Sequence, residues 1–277
     1  MAERQHPLMI GATAADPKRA VYIWNAIRKY FNEADLKMEY ALYSTYDALC
    51  AAVLDGHVDI AWNAPMAHAQ LLLQSPGACR TLAMRDSDED VHSLIVARAD
   101  AAIVDLDDLR GRRLALGVGI SSELYLLPVS QLAEDGFDIA SDCELVELET
   151  TEYSNLQRWV DDRAIFGAMM DGRADAGVIF EPWMGYLLRR YELAADDIVE
   201  VWRTRPYCHC AYTSGPSLGD ADAERFVELL VAMDPEEPEI AEMMRMEHLT
   251  RWVRATDDGW SDLMGAVRNA GLVGKIF

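Results

Sequence analysis

Two stretches of the chain repeat one pattern: LDGHVDIA at 54–61 and MDGRADAG at 170–177. In each, an Asp-Gly pair is followed three residues after the glycine by a second aspartate, then by a short apolar run, and soon after by a proline, Pro65 or Pro182. Glycine takes the left-handed conformation that ends a helix, and proline suits the first position of the next one. A helix that stops at Asp-Gly, a buried strand and a proline-led helix make up most of a βαβ unit. Two copies in one chain point to two α/β halves built alike.

The rest of the sequence carries the same alternation. Residues 8–14 read as a strand, Pro17 opens a helix through Phe31, and 38–43 read as the next strand. Ser44 caps a helix through Leu54, 59–62 is a strand, and Pro65 starts a further helix. After the apolar stretch 93–97 the pattern begins again. It has a helical turn at 105–109, a strand at 113–118, a helix from Ser121, a strand at 144–147, a mostly helical 155–170, a strand at 176–180 and a helix from Pro182. Residues 198–213 form an extended run that returns the chain to its first half, and helices at 221–233, 238–252 and 259–270 follow. The expected fold is therefore α/β and two-lobed, with two mixed, mainly parallel sheets flanked by helices. Lobe 1 comprises 1–95 with 210–277, lobe 2 is the inserted 96–209, and a two-segment hinge lies near 93–99 and 203–212.

Composition narrows the partners. A chain of 277 residues with 51% hydrophobic and 26% charged residues can bury the cores of two domains. Its net charge is −22, and Lys18, Lys29, Lys37 and Lys275 are its only lysines. That field repels nucleic-acid phosphates and anionic lipid, so the expected partner is a small-molecule ligand, with no nucleic acid and no membrane insertion. No apolar run reaches membrane-spanning length. The apolar segment near the start is too short for a secretory signal, so the sequence as written reads as cytoplasmic, or as extracytoplasmic and periplasmic where a leader has been trimmed. Five cysteines (Cys50, Cys79, Cys143, Cys208, Cys210) at irregular spacing imply neither a disulfide framework nor a zinc knuckle.

In open α/β sheets, ligands bind at the carboxyl ends of the strands, where helix N-termini present unpaired amides and partial positive charge. An acidic chain can hold an anion there with few basic side chains. The candidate ligand contacts at such positions are Thr13, Tyr46, Trp62, Asn63, Ser121, Ser122 and Glu181. Tyr22, Tyr125 and Trp183 add to an aromatic rim suited to a small organic ligand, and Glu123 in the Ser121 turn would compete with an anion. The most pointed stretch is Tyr207-Cys208-His209-Cys210. In a strand the two cysteines share one face and His209 takes the other, so His209 is read as ligand-facing and no metal site is expected. His68, Glu181, His209 and Cys208 are the groups an enzyme would use for acid-base or nucleophilic work. Walker, HExxH, GxSxG and GxGxxG motifs are missing, and no cofactor is implied.

The runs DIAWNAPMA (59–67), HSLIVARAD (92–100), DLRGRRLALG (108–117), SSELYLLP (121–128) and AIFGAMMDGRAD (164–175) resemble the phosphate/phosphonate-binding family of ABC-transporter substrate-binding proteins over most of the chain. The resemblance implies the type 2 periplasmic-binding fold, with binding loops at Tyr46, Trp62-Asn63 and Ser121-Ser122. It also implies an ABC permease as partner and ligand capture in the inter-lobe cleft by hinge closure. Two readings stand side by side: a component that binds a phosphonate-like or carboxylate anion, and a cytoplasmic lyase, decarboxylase or cofactor-biosynthesis enzyme on the same scaffold.

Overall fold

A computed structural model describes residues 6–14, 16–149, 151–153 and 157–275. The chain divides into two compact units. The first comprises 1–89 and 208–277, the second 90–207. The first boundary falls before residue 95 because the strand that begins at Ser93 pairs entirely within the second unit.

The first unit begins with β1 (Leu8–Thr13), α1 (Pro17–Glu33), β2 (Met38–Tyr43), α2 (Tyr46–Leu54), β3 (Ile60–Asn63), α3 (Pro65–Gln74) and β4 (Arg80–Arg85). The second holds β5 (Ser93–Arg98), α4 (Leu106–Leu109), β6 (Arg113–Ala115), α5 (Leu127–Glu134), α6 (Ile139–Asp142) and β7 (Glu144–Leu145). It continues with β8 (Thr151–Tyr153), β9 (Gln157–Trp159), α7 (Asp162–Met170), β10 (Ala176–Phe180), α8 (Met184–Arg190) and β11 (Ile198–Arg203). The chain then completes the first unit with β12 (Ala211–Ser214), α9 (Asp220–Val231), α10 (Pro238–Met246), β13 (Trp252–Arg254) and α11 (Ser261–Asn269).

The first unit's sheet has the order β13-β4-β12-β3-β1-β2 and the second unit's β11-β5-β10-β6-β7, while β8 and β9 form a separate antiparallel pair. Pairings β1–β2, β1–β3, β6–β10 and β6–β7 are parallel; β3–β12, β4–β12, β4–β13, β5–β10 and β5–β11 are antiparallel. The sheets are mixed as expected, but parallel pairs do not dominate, because β12 and β13 in the first unit and β5 in the second run against the parallel core strands.

In the first unit, β1 alternates in the manner of a strand covered on both faces. Leu8, Ile10 and Ala12 join α1, α9 and α10 in one core, where Phe31 stacks on Phe226 at 5.0 Å, and Met9 packs with α2 and α3 in the other. Helix α1 starts at Pro17 with Asp16 capping the amides of Lys18 and Arg19, and buries Ile23, Trp24, Ile27 and Phe31 at helical spacing.

The repeated motif does one job in each unit. Helices α2 and α7 end at Asp55 and Asp171, and Gly56 and Gly172 follow in the left-handed region at φ 75° and 71°. The aspartate three residues on closes a ring with the neighbouring strand. The amide of Asp59 donates to the carbonyl of Met9 (2.9 Å) while Asp59 Oδ2 accepts from the amide of Met9 (2.8 Å). Asp175 does the same with Arg113, at 2.8 and 2.9 Å, and adds an ion pair to its guanidinium (2.6 Å).

Some local readings change. Helix α10 stops at Met246 rather than running to residue 252: His248 takes a positive φ of 57°, and Trp252 begins β13. The stretch 155–170 contains β9 before α7, and the helix expected from Asn155 would start outside the described residues. The 198–213 run is two strands in different units, separated by irregular chain.

Asp59→Ala leaves the Met9 amide without its partner and should lower unfolding free energy by about 1–3 kcal/mol; Asp59→Asn, which keeps an acceptor oxygen, should cost less. Urea midpoints of the two variants check this, and equal midpoints would sink the pinning role.

Candidate functional site

In the first unit β1 and β3 are parallel, so their carboxyl ends, Thr13 and Asn63, share one sheet edge. Tyr46, half-buried, is the first residue of α2 on that side, with Thr45 capping the amide of Ala48 at 3.2 Å. Because β12 is antiparallel to β3 and pairs Ala211 with Asn63, its N-terminal end lies on the same edge, as does Arg85 at the end of β4. The register therefore brings Thr13, Trp62, Asn63, Arg85, His209 and Cys210 to one side of the sheet.

Trp62 lies in a nest of rings. Tyr212 is 4.7 Å away and Trp252 5.6 Å, with the Arg85 guanidinium 5.2 Å from its centroid. Asn63 is fully buried at the head of a polar chain: its Nδ2 donates to Thr213 Oγ1 (2.8 Å), which meets His68 Nδ1 (2.6 Å). His68 Nε2 meets Thr81 Oγ1 (3.0 Å), and that hydroxyl donates to Asp257 Oδ1 (2.5 Å). The direction of the bonds follows by elimination. The Thr81 hydroxyl proton is committed to the carboxylate, so His68 donates through Nε2 and accepts from Thr213 through Nδ1, and Thr213 in turn accepts from the Asn63 amide. Burial pushes the His68 pKa down to about 3 against the pull of Asp257, which agrees with a neutral ring. The chain thus orients the Asn63 amide and leaves Oδ1 as a buried acceptor without a partner. Directly after it, Ala64 occupies the N-cap of α3, where no side chain caps the first amides. The starts of α1 and α2 are capped by Asp16 and Thr45.

The segment 208–210 is not strand, because β12 begins only at Ala211. The expected alternation of faces therefore does not hold. His209 Nδ1 lies 3.2 Å from Asp88 Oδ1 and 3.2 Å from Cys210 Sγ. Arg85 grips Asp88 through Nε (2.5 Å) and NH2 (2.9 Å). Burial opposes charge on His209, but Cys210 and Asp88 outweigh it and hold the pKa well above the usual value. Cys208 is buried, its amide donating to the Gly259 carbonyl at 2.9 Å.

In the second unit the parallel strands β6 and β10 end toward one edge, and the register Phe180↔Ser93 and Arg203↔Leu94 brings the start of β5 and the end of β11 there too. Ser121 and Ser122 are buried, and Ser121 Oγ caps the amide of Leu124 at 3.1 Å, opening a π turn that leads into α5. Ser93 Oγ donates to the carbonyl of Glu123 (2.5 Å) and meets Tyr207 Oη (2.8 Å). Glu181 opens a 3-10 turn, partly exposed, with Oε1 3.8 Å from Arg203.

Sequence reasoning missed Asp162. It is buried at the start of α7, with Oδ1 accepting from the Phe180 amide at 2.7 Å. Burial pushes its pKa up to about 7, with Glu123 and Asp161 adding to the effect. Burial also raises Tyr207, and Glu123, Asp162 and Glu181 contribute to that shift. An Asp-Asp pair before a helix signals a cap, which Asp161 provides, but nothing local reveals that its neighbour is buried.

The proposed catalytic groups fare poorly. Both ring nitrogens of His68 are taken by threonine hydroxyls, so it is a satisfied core histidine and not an acid-base group. Cys208 is packed so closely on Gly259 that a β-carbon there would overlap its sulfur.

A family model described as ABC transporter, phosphonate, periplasmic substrate-binding protein matches residues 10–260. Among solved structures, PhnD1 of Prochlorococcus marinus in complex with methylphosphonate is similar at 17% identity, covering 95% of this chain and 98% of its own, with a TM-score of 0.67. A Xanthomonas citri protein bound to ATP is similar at 18% identity, covering 96% and 98%, TM-score 0.69. The aliphatic sulphonate binding protein SsuA of Escherichia coli is similar at 13% identity, covering 98% and 95%, TM-score 0.60. These likenesses show the two-lobed periplasmic-binding fold. Among the described residues no helix is long and apolar enough to cross a membrane.

For Asp162, the folded pKa of about 7 exceeds the ordinary 3.8, so between those values the folded protein keeps a proton that the unfolded chain has lost. The contribution of Asp162 to stability then falls as pH rises from about 4 to 7, by on the order of 2–4 kcal/mol. Asp162→Asn keeps the acceptor for Phe180 and stays neutral. Its unfolding midpoint should match wild type near pH 4 and exceed it near pH 8; parallel curves would refute the assignment.

Proposed function

We propose that this chain, which belongs to the ABC-transporter family of periplasmic phosphonate substrate-binding proteins, binds a small organic oxyanion of the phosphonate class. The observation that carries this reading is the end of β3. Asn63 presents a buried, unpartnered acceptor, and the next residue, Ala64, leaves the first amides of α3 without a side-chain cap. Such amides, at the positive end of a helix, suit an anionic oxygen without a basic side chain. The ligands named for the similar structures, methylphosphonate, ATP and aliphatic sulphonate, all carry phosphorus or sulfur oxyanions.

Asn63 Oδ1 refines the choice. A singly protonated phosphonate brings both oxygens for the amides and one hydroxyl donor for Oδ1, whereas a sulfonate has no such donor. A site that leaves a buried polar group unpaired with the wrong ligand rejects it strongly. Thr13, Tyr46 and Trp62 in the first unit, and Ser121 and Ser122 in the second, are further proposed contacts; Ser121 would act through its turn, since its hydroxyl already caps Leu124. His209 is also a proposed contact, at the edge it shares with Asn63. The family membership makes a membrane permease the natural partner and the outside of the cytoplasmic membrane the natural location.

Calorimetric titration should show an alkylphosphonate binding more tightly than the sulfonate of the same length. Asn63→Ala should weaken phosphonate binding by about tenfold or more and narrow the gap to sulfonate. Equal affinity for sulfonate and phosphonate would reject the role of Asn63, and turnover of any of these compounds would reject the binding reading.

A further inference from the structure

We propose that Asp88, His209 and Cys210 form a binding site for one divalent transition-metal cation of the zinc class. One oxygen, one imidazole nitrogen and one sulfur lie within 4.8 Å of one another, with both Oδ1 and Sγ 3.2 Å from Nδ1. Bonds of about 2.0–2.3 Å in tetrahedral geometry separate neighbouring ligand atoms by roughly 3.3–3.6 Å, so the two 3.2 Å contacts would open slightly while the oxygen and sulfur, within 4.8 Å of one another, would draw together.

The shared nitrogen decides between rival uses of these groups. A catalytic triad needs the carboxylate on one ring nitrogen and the nucleophile on the other. Here the Asp88 oxygen and the Cys210 sulfur converge on Nδ1. A single proton there must divide itself between oxygen and sulfur, whereas a cation at the same point serves all three lone pairs. Thiolate with imidazole selects zinc, cobalt or copper over magnesium and calcium.

The site is also held in shape from outside. Arg85 clamps the Asp88 carboxylate, the amide of His209 donates to the Asp88 carbonyl (2.9 Å), and Trp260 Nε1 donates to the His209 carbonyl (2.9 Å). Outer partners of this sort fix ligand orientation in metal sites. Cys210 is partly exposed, so an ion can enter and a fourth position can be filled by water. Burial pushes Cys50 up to about 12 and Cys79 and Cys143 up to about 11, so these thiols ionise poorly. The site shares His209 with the proposed ligand contacts, but it does not depend on oxyanion binding, and the metal alone tests it.

The reduced full-length protein, freed of metal by a chelator, is titrated with Co²⁺. A thiolate-to-cobalt charge-transfer band in the near ultraviolet should saturate at one ion per chain. Cys210→Ser should abolish the band with unchanged circular dichroism, and His209→Asn should weaken binding by about tenfold or more. Cys143→Ser should leave the band intact. Zn²⁺ should raise the melting temperature of wild type but not of His209→Asn. No band in wild type, or one that survives in Cys210→Ser, would overturn the proposal. So would a missing band accompanied by preferential alkylation of Cys210 by iodoacetamide, which would mark a thiolate–imidazolium pair instead.

Discussion

Each unit is built around a two-way hydrogen-bonded contact between an aspartate and the first part of a neighbouring parallel strand: Asp59 with Met9, and Asp175 with Arg113. A parallel pair cannot be closed by a tight hairpin, so its register has to be set by something at the strand start. The aspartate provides that, since its amide and carboxylate together satisfy both backbone groups of one residue across the gap. With register set there, the carboxyl ends of the strands align at the opposite edge. That alignment brings Thr13 beside Asn63, and, through the antiparallel β12, brings Asn63 beside Cys210.

The glycines of the same units show how closely helix and sheet approach. A β-carbon at Gly177 would come within 2.6 Å of Ile165 and 2.8 Å of Met169 on α7, and one at Gly11 would overlap Leu49 on α2. The helix ended by Asp-Gly is thus pressed onto the sheet it leads into. This close approach gives the short connection to the pinning aspartate no slack, and the two features reinforce each other.

At the functional edge of the first unit, polar groups that are distant in sequence are made to depend on one another. The amide of Asn63 is aimed by a relay that ends at Asp257, close to the chain's far end. The cluster at His209 draws Asp88 from before the inserted unit and Cys210 from after it. Both arrangements bury polar groups with their partners supplied, which costs little only when every bond is made. The exception is Asn63 Oδ1, and it occurs where the strand meets the uncapped helix.

The sequence by itself determined the α/β alternation and the two-lobed plan of mixed sheets flanked by helices. These follow from local signals: glycine conformations, proline positions and hydrophobic period reach only a few residues along the chain. The same local rules misjudged 208–210, because the onset of β12 is set by pairing with β3 and β4 and not by the segment's own composition. They also could not tell that His68 is locked between two threonines, that Asp162 is buried, or that Trp62 is covered by Arg85. Hydrogen bonding, burial and charge act across space between residues far apart in the chain. Only the tertiary structure could decide which polar side chains are spent on the fold and which remain available for chemistry.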